Sequence, residues 1–146
     1  MTRADGFWAS IGWLAAAALL QACQKAPAAP EPIRPAEDTC AFCRMQIAQT
    51  KFAAEILNAD GDAVKFDDIG CFRAYRAAHP ETRSAEAWVI DSETGAWLRA
   101  ADAKYLLDAP DRTPMGFGIV AYASEVRARS HGSRVVGFDE MLAAGK

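Results

Sequence analysis

Apolar positions crowd the stretch from Lys51 to Asn58, break at Ala59-Asp60-Gly61-Asp62, and resume from Ala63 to Phe66. Two such runs around a turn-forming tetrapeptide predict a β-hairpin. Asp67 then stands where a helix N-cap belongs, and Asp68 supplies an acidic first turn. Ile69, Phe72, Ala74 and Tyr75 to Ala78 follow at roughly helical spacing as far as His79-Pro80. Carboxylates at such positions satisfy the free N–H groups of a first turn and oppose its positive dipole end, so a helix is expected after the hairpin.

The order then recurs. Ala87 to Asp91 predicts a strand, Glu93-Thr94-Gly95 a turn, and Ala96 to Ala100 a partner strand, with Trp88 and Trp97 facing each other across this second hairpin as packing residues. Ile119 to Ala123 reads as a further strand, Ser124 as the cap of a helix running through Arg129, and Arg134 to Phe138 as a last strand leading into a short helix. Val64-Lys65-Phe66-Asp67-Asp68-Ile69 is answered 72 residues later by Val136-Gly137-Phe138-Asp139-Glu140-Met141. That echo points to an internal duplication. The expected fold is α+β: two related strand-strand-helix units, duplicated ββα-type halves packed around one core.

The N-terminus changes the picture of where the fold begins. Arg3 gives a short basic end, and the chain is almost wholly apolar for 14 residues from Phe7 to Leu20. That length suits the core of a signal peptide and falls short of the roughly 20 residues of a spanning helix. Leu20-Gln21-Ala22-Cys23 follows and resembles the lipobox of bacterial lipoproteins. The resemblance implies cleavage after residue 22 and lipid on the Cys23 sulfur. Beyond it the composition turns to Ala and Pro, with prolines at 27, 30, 32 and 35 and no apolar periodicity. Such a stretch is extended and semi-rigid. Residues 1–22 are expected to be a signal peptide, 23–37 a tether and 38–146 the folded domain.

The formal net charge of the whole chain is −3. Removing residues 1–22 deletes Arg3 and Asp5 together, so the mature chain keeps that value. With no basic block, nucleic-acid binding is not expected. Of the four cysteines, Cys23 is assigned to lipid, which leaves Cys40, Cys43 and Cys71. An odd number argues against a simple disulfide framework.

Cys40-Ala41-Phe42-Cys43-Arg44-Met45 carries the chemistry. Two thiols with two residues between them can reach one ion, or each other. Met45 shifts the balance, because a thioether is neutral and soft; it adds little for Zn²⁺ and suits Cu(I). Phe42 and Ile47 make the surroundings apolar, which favours the ion of lower charge. Three alternatives stand beside copper: a redox dithiol, half of a zinc site that Cys71 and a histidine could complete, and a plain Cys40–Cys43 disulfide. A redox motif should open a helix after a strand, whereas this one follows a proline-rich tether and precedes a strand. There is no nucleophile with a base, no phosphate loop and no cofactor fingerprint, so an enzyme is not expected.

Cys40-x-x-Cys43-x-Met45-x-Ile47 after Asp38, then the hairpin with Phe66 and Cys71, resembles the nitrous oxide reductase accessory lipoproteins of the NosL type. Thr113-Pro114-Met115-Gly116-Phe117-Gly118 and His131-Gly132-x-x-Val135-x-x-Phe138-x-Glu140 fit the same pattern, so the similarity spans nearly the whole mature domain. The resemblance implies a Cu(I)-binding chaperone on a fold of two related units. Its implied partners are nitrous oxide reductase and the membrane machinery that matures its copper-sulfide centre. The candidate ligands read from the residues are Cys40, Cys43 and Met45, with Met115, on a turn between Pro114 and Gly116, as either a core plug or a ligand that the duplicated fold brings from the second half, and with Cys71 and His131 as lesser candidates. Cys71 by default is a small buried hydrophobe, and His131 a contact to helix-end carbonyls. Asp67 and Asp68 are read as caps. One departure stands out: the family pattern has Gly where this chain has Arg44, which puts the loop conformation in question. Gln24 after the lipidated cysteine leans toward the outer membrane, with the domain on the periplasmic side.

Overall fold

The computed structural model describes residues 29–58 and 60–145. The signal segment and Cys23 lie outside them. The first sheet is built from β1 (Ala54–Leu57), β2 (Ala63–Phe66), β3 (Glu86–Ile90) and β4 (Trp97–Arg99). Its strand order is β2-β1-β3-β4, antiparallel throughout. The second contains β5 (Lys104–Leu106), β6 (Val120–Tyr122) and β7 (Val135–Val136), in the order β6-β5-β7, again antiparallel. Helix α1 (Ile69–Ala78) connects β2 to β3, α2 (Glu125–His131) connects β6 to β7, and α3 (Phe138–Ala143) closes the chain.

Both predicted hairpins and all three predicted helices are present, so the α+β expectation holds. The duplication is visible as connectivity. In each sheet the first strand of the unit is central, the second and third flank it, and a helix joins second to third. The repeating unit is therefore β1-β2-α1-β3 and β5-β6-α2-β7, with β4 and α3 as additions. The equivalences differ from those of the sequence echo. β2-α1 corresponds to β6-α2, whereas the echoing residues 136–141 form the end of β7 and α3. There Gly137 is the N-cap, Phe138 is only half-buried, and Asp139 is exposed rather than capping.

Several local details also depart from expectation. Thr50–Phe52 forms a 3₁₀ turn, so the first strand starts at Ala54. β5, only three residues long, has too short an apolar run to be read from sequence, yet it is the central strand of the second sheet. Trp88 pairs with Arg99 and Trp97 with Ile90, so the two indoles are offset instead of opposed. The Arg99 guanidinium lies 5.2 Å from the Trp88 ring centroid, while Trp97 packs with Ile33, Ile47, Ala53 and Ile90.

One core joins the two units. Ala54, Ile56, Phe66, Ile69, Phe72 and Val89 of the first meet Tyr105, Leu107, Ile119, Ala121 and Val136 of the second, together with Met141 of α3. Each large apolar side chain removed from water in this way stabilises the fold by about 1.5–3 kcal/mol. Alternation along β1 turns Glu55 to the opposite face, where it is fully buried. The cover is the segment before the motif: the Glu31 N–H donates to Glu55 Oε1 at 2.9 Å, and Lys65 Nζ donates to the Pro32 carbonyl at 3.1 Å and to Asp38 Oδ2 at 2.9 Å. Among the described residues, packing against the sheet thus reaches back to Glu31, within the stretch that composition assigned to the tether. Ile33 and these charged anchors dock a stretch that has no apolar period.

Candidate metal centre

The Cys40–Met45 loop is the tip of a small hairpin. Thr39 and Gln46 form an isolated bridge, the Ile47 N–H donates to the Asp38 carbonyl at 2.9 Å, and the Ala36 N–H donates to the Ile47 carbonyl at 2.9 Å. Inside the tip, the Cys40 N–H donates to the Met45 carbonyl at 2.8 Å and the Arg44 N–H to the Cys40 carbonyl at 3.0 Å. The Ala41 N–H bonds the Lys65 carbonyl at 2.9 Å, which pins the loop to the edge strand β2. Arg44 adopts φ 67°, the left-handed region that favours glycine. The position where the family pattern has Gly does require that conformation, and Arg holds it here at a cost of about 1–2 kcal/mol.

β2 ends beside this loop and α1 begins there. Asp68 is the N-cap, accepting from the Gly70 N–H at 2.7 Å. Asp67, expected to cap, points its carboxylate at the thiols instead: Cys43 Sγ lies 3.4 Å from Asp67 Oδ1. Cys71, in the first turn of α1, enters from the same side. Cys40, Cys43, Asp67 and Cys71 can each offer one ligand atom, all within 4.8 Å of one another. The three cysteines are free thiols in this structure, with no Cys40–Cys43 disulfide. Cys40 and Cys71 are fully buried, Asp67 nearly so, and Cys43 is half-buried.

Proton placement follows from that geometry. The Cys71 thiol donates to Cys40 and, with loop N–H groups helping against desolvation, pulls Cys40 down to about 6. Cys43 is pushed up to about 11, first by burial and then by the negative groups beside it. Cys71 is raised far above the ordinary thiol range by its bond to Cys40 and by burial. At neutral pH the metal-free site therefore holds one thiolate, on Cys40, and two thiols. A cation entering it would release those two protons and gain two further sulfur ligands.

A second loop closes over the helix start. The Met115 N–H donates to Asp68 Oδ2 at 2.9 Å, and the Gly118 N–H donates to Thr113 Oγ1 at 3.1 Å. Phe117 lies so close to α1 that a Cβ on Gly70 would fall 2.0 Å from its Cγ; no side chain fits at Gly70. The side chains of Met45 and Met115 are both exposed, as is Phe42 between the two motif cysteines. His131 lies elsewhere. Its ring stacks on Tyr122 at 5.0 Å and its Nε2 is 2.8 Å from Glu93 Oε1, so it neither joins the thiols nor caps α2. His79 likewise stacks on Tyr75 and bonds Glu81. Sequence reasoning left Cys71 at the margin and missed Asp67. The available signal was the doublet Asp67-Asp68, one carboxylate more than a single cap uses.

Fold and site together define a small α+β domain with a thiol-rich candidate centre for a soft cation at the junction of a hairpin tip, a strand end and a helix start. The chain belongs to the NosL family, whose model matches residues 33–144. The structure is also similar to the crystal structure of the copper chaperone NosL from Shewanella denitrificans, with a TM-score of 0.66 and 18% identity over 78% of this chain and 96% of that one. At that identity the likeness establishes a shared fold. No curated protein matches the sequence.

Proposed function

We propose that this chain is a copper(I) metallochaperone. It is anchored by lipid on Cys23 at the periplasmic side of a membrane, the outer membrane slightly favoured, and delivers copper for assembly of the copper-sulfide centre of nitrous oxide reductase. The observation that carries the copper reading is the convergence of Cys40, Cys43 and Cys71 with Asp67 inside 4.8 Å. Cu(I) is soft, is content with two or three sulfur ligands, and gains from the apolar wall that surrounds them. Membership of the NosL family and the shared fold with a copper chaperone support the same reading. Transfer follows from unequal exposure. Cys43 is the accessible thiol, so an incoming sulfur donor exchanges there first, with the exposed thioethers of Met45 and Met115 beside the path. Buried Cys40 and Cys71 release the ion last.

A redox dithiol fits the geometry poorly. Its attacking cysteine should be both accessible and low in pKa, whereas here Cys40 is low but fully buried and Cys43 is accessible but raised. Zinc is the second reading, since three thiolates and a carboxylate make a complete tetrahedral set. The test is a titration of reduced, metal-free protein against a moderate Cu(I) chelator. One Cu(I) per chain is expected to leave the chelator, and Cys40→Ser with Cys43→Ser is expected to leave all of it behind. Equal competition by that double variant overturns the copper site. Zinc rather than copper in protein isolated anaerobically from its own host selects the second reading. Delivery is tested separately, by the copper content of nitrous oxide reductase matured without this protein; a normally loaded enzyme would refute it.

A further inference from the structure

Arg76 lies in the last turns of α1, away from the thiols, and is 7% exposed. Among the described residues no carboxylate pairs with it. Its Nη2 donates to the Arg83 carbonyl at 2.5 Å, its guanidinium lies 5.6 Å from the Phe72 ring centroid and 5.5 Å from that of Phe138, and its Nε has no partner. Burying an unpaired guanidinium is unfavourable, because its hydration is lost with no counter-charge in return. One neutral carbonyl and two ring faces offset only part of that.

The same side chain lines a cavity of about 320 Å³ between the C-terminal part of α1, the 3₁₀ turn Pro80–Ser84, and the strands β3 and β4. Arg83, Arg99, Ser84 and Phe138 stand on its other walls. Two acidic residues also line it, Glu86 and Asp102. Glu86 is 3.8 Å from Arg99 Nη2. Three arginines against two acidic residues leave one positive charge in excess; among the described residues only Arg99 of the three has an ion pair, and Arg76 is the one that is buried.

From this we propose that the cavity is a binding site for a small oxyanion, of the phosphate or carboxylate class, held by Arg76 at the base and by Arg83 and Arg99 at the rim. A guanidinium is suited to such ligands because its planar fork presents parallel N–H donors to two oxygens. The bound anion supplies the charge that the fold withholds from Arg76. The site is separate from the thiol centre and does not depend on which metal that centre takes.

Isothermal titration of the full-length protein with inorganic phosphate and, separately, with succinate tests this at fixed ionic strength set by chloride. Saturable binding of at least one probe is expected, with a rise in Tm that grows with probe concentration. Arg76→Met should weaken that binding by about tenfold or more. In the chloride buffer without either probe the same variant should melt at or above the parent temperature, because it removes an uncompensated buried charge. Should Arg76→Met not fold, the exposed rim variants Arg83→Ala and Arg99→Ala carry the test through their own loss of affinity. Phosphate alone or succinate alone binding identifies the ligand class. Failure of both probes to saturate, or parent-like binding in the rim variants, overturns the proposal.

Discussion

The two units of this domain share one connectivity and differ in chemistry at equivalent positions. β2 ends at Phe66 and β6 at Tyr122; each is followed by two residues and a helix. In the first unit those residues are Asp67 and Asp68, in the second Ala123 and Ser124. Asp68 and Ser124 do the same work as N-caps. Asp67 faces three thiols, whereas Ala123 has no side-chain group to offer. Two residues into each helix, Cys71 of α1 corresponds to Arg127 of α2, which reaches out to Glu93 at the surface. A duplicated scaffold thus offers two strand-to-helix corners, and one of them carries the candidate metal centre. The corner supplies placement, because a strand end and a helix start fix side chains a few ångströms apart, and the residue types decide its use.

The largest test of this contrast concerns Asp67. If its carboxylate belongs to the centre, Asp67→Ala should lower Cu(I) affinity by roughly 10–100-fold, as loss of a partner to a ligating group does. Chelator competition reads the change, and an unchanged affinity would return Asp67 to a structural role like that of Ala123.

A glycine inside the first turn of α1 and one just after α2 sharpen the contrast in packing. Gly70→Ala must displace Phe117 and with it the loop that bears Met115, at an expected cost of about 1–3 kcal/mol in chemical denaturation. Gly132 follows α2 in an extended conformation (φ 174°), and a Cβ there meets the end of the Leu106 side chain at 2.7 Å. Because a side-chain end yields more readily than a ring against a helix backbone, Gly132→Ala should cost less than Gly70→Ala. The reverse order would show that the Phe117 loop is loosely held.

Acidity provides a third measurement, confined to the first unit. Cys40 falls from an ordinary 9.0 to about 6 in the fold, so between those values the unfolded chain binds more protons than the folded one. Its contribution to stability is therefore complete above pH 9.0 and is lost as pH falls through about 6. Cys43, raised to about 11, acts oppositely and weakens the fold as pH climbs above 9.0. Ultraviolet thiolate absorbance of the metal-free protein should show one group ionising near pH 6, absent in Cys40→Ser. Ionisation persisting in that variant would assign the thiolate elsewhere.

The smallest expected effect belongs to the second unit. His131→Ala removes an exposed contact with Glu93 and a ring stacked on Tyr122. Cu(I) affinity should not change, and the unfolding midpoint should move little, as is usual for exposed pairs. A measurable loss of copper binding would break the assignment of metal chemistry to the first corner alone.

Much of this fold is legible along the chain because its elements are locally encoded. The Ala63–Phe66 strand, the α1 boundaries and the Ser124 cap each follow from alternation, spacing or a capping side chain within a few residues. β5 was illegible for the opposite reason: three residues carry no period, and Lys104–Leu106 is a strand only because β6 and β7 pair with it on both sides. The docking of Glu31–Asp38 was hidden similarly, since its partners Glu55 and Lys65 lie more than 20 residues away.

For the candidate site, sequence alone supplied the soft donor types, two thiols and a thioether within six residues. Cys-x-x-Cys-x-Met is a local statement, and the spacing that lets Cys40 and Cys43 approach one ion is a property of a single turn. Sequence also flagged Arg44, whose left-handed backbone confirms that the position is made for glycine. What only the tertiary structure decided is which distant groups stand beside that motif. Cys71 and Asp67 reach the motif because β2 pins the hairpin tip and turns into α1 beside it, while His131, equally plausible as a ligand type, is carried to the other unit. Ligand identity is written residue by residue; convergence depends on strand pairing and helix docking between segments whose separation along the chain says nothing of their distance in space.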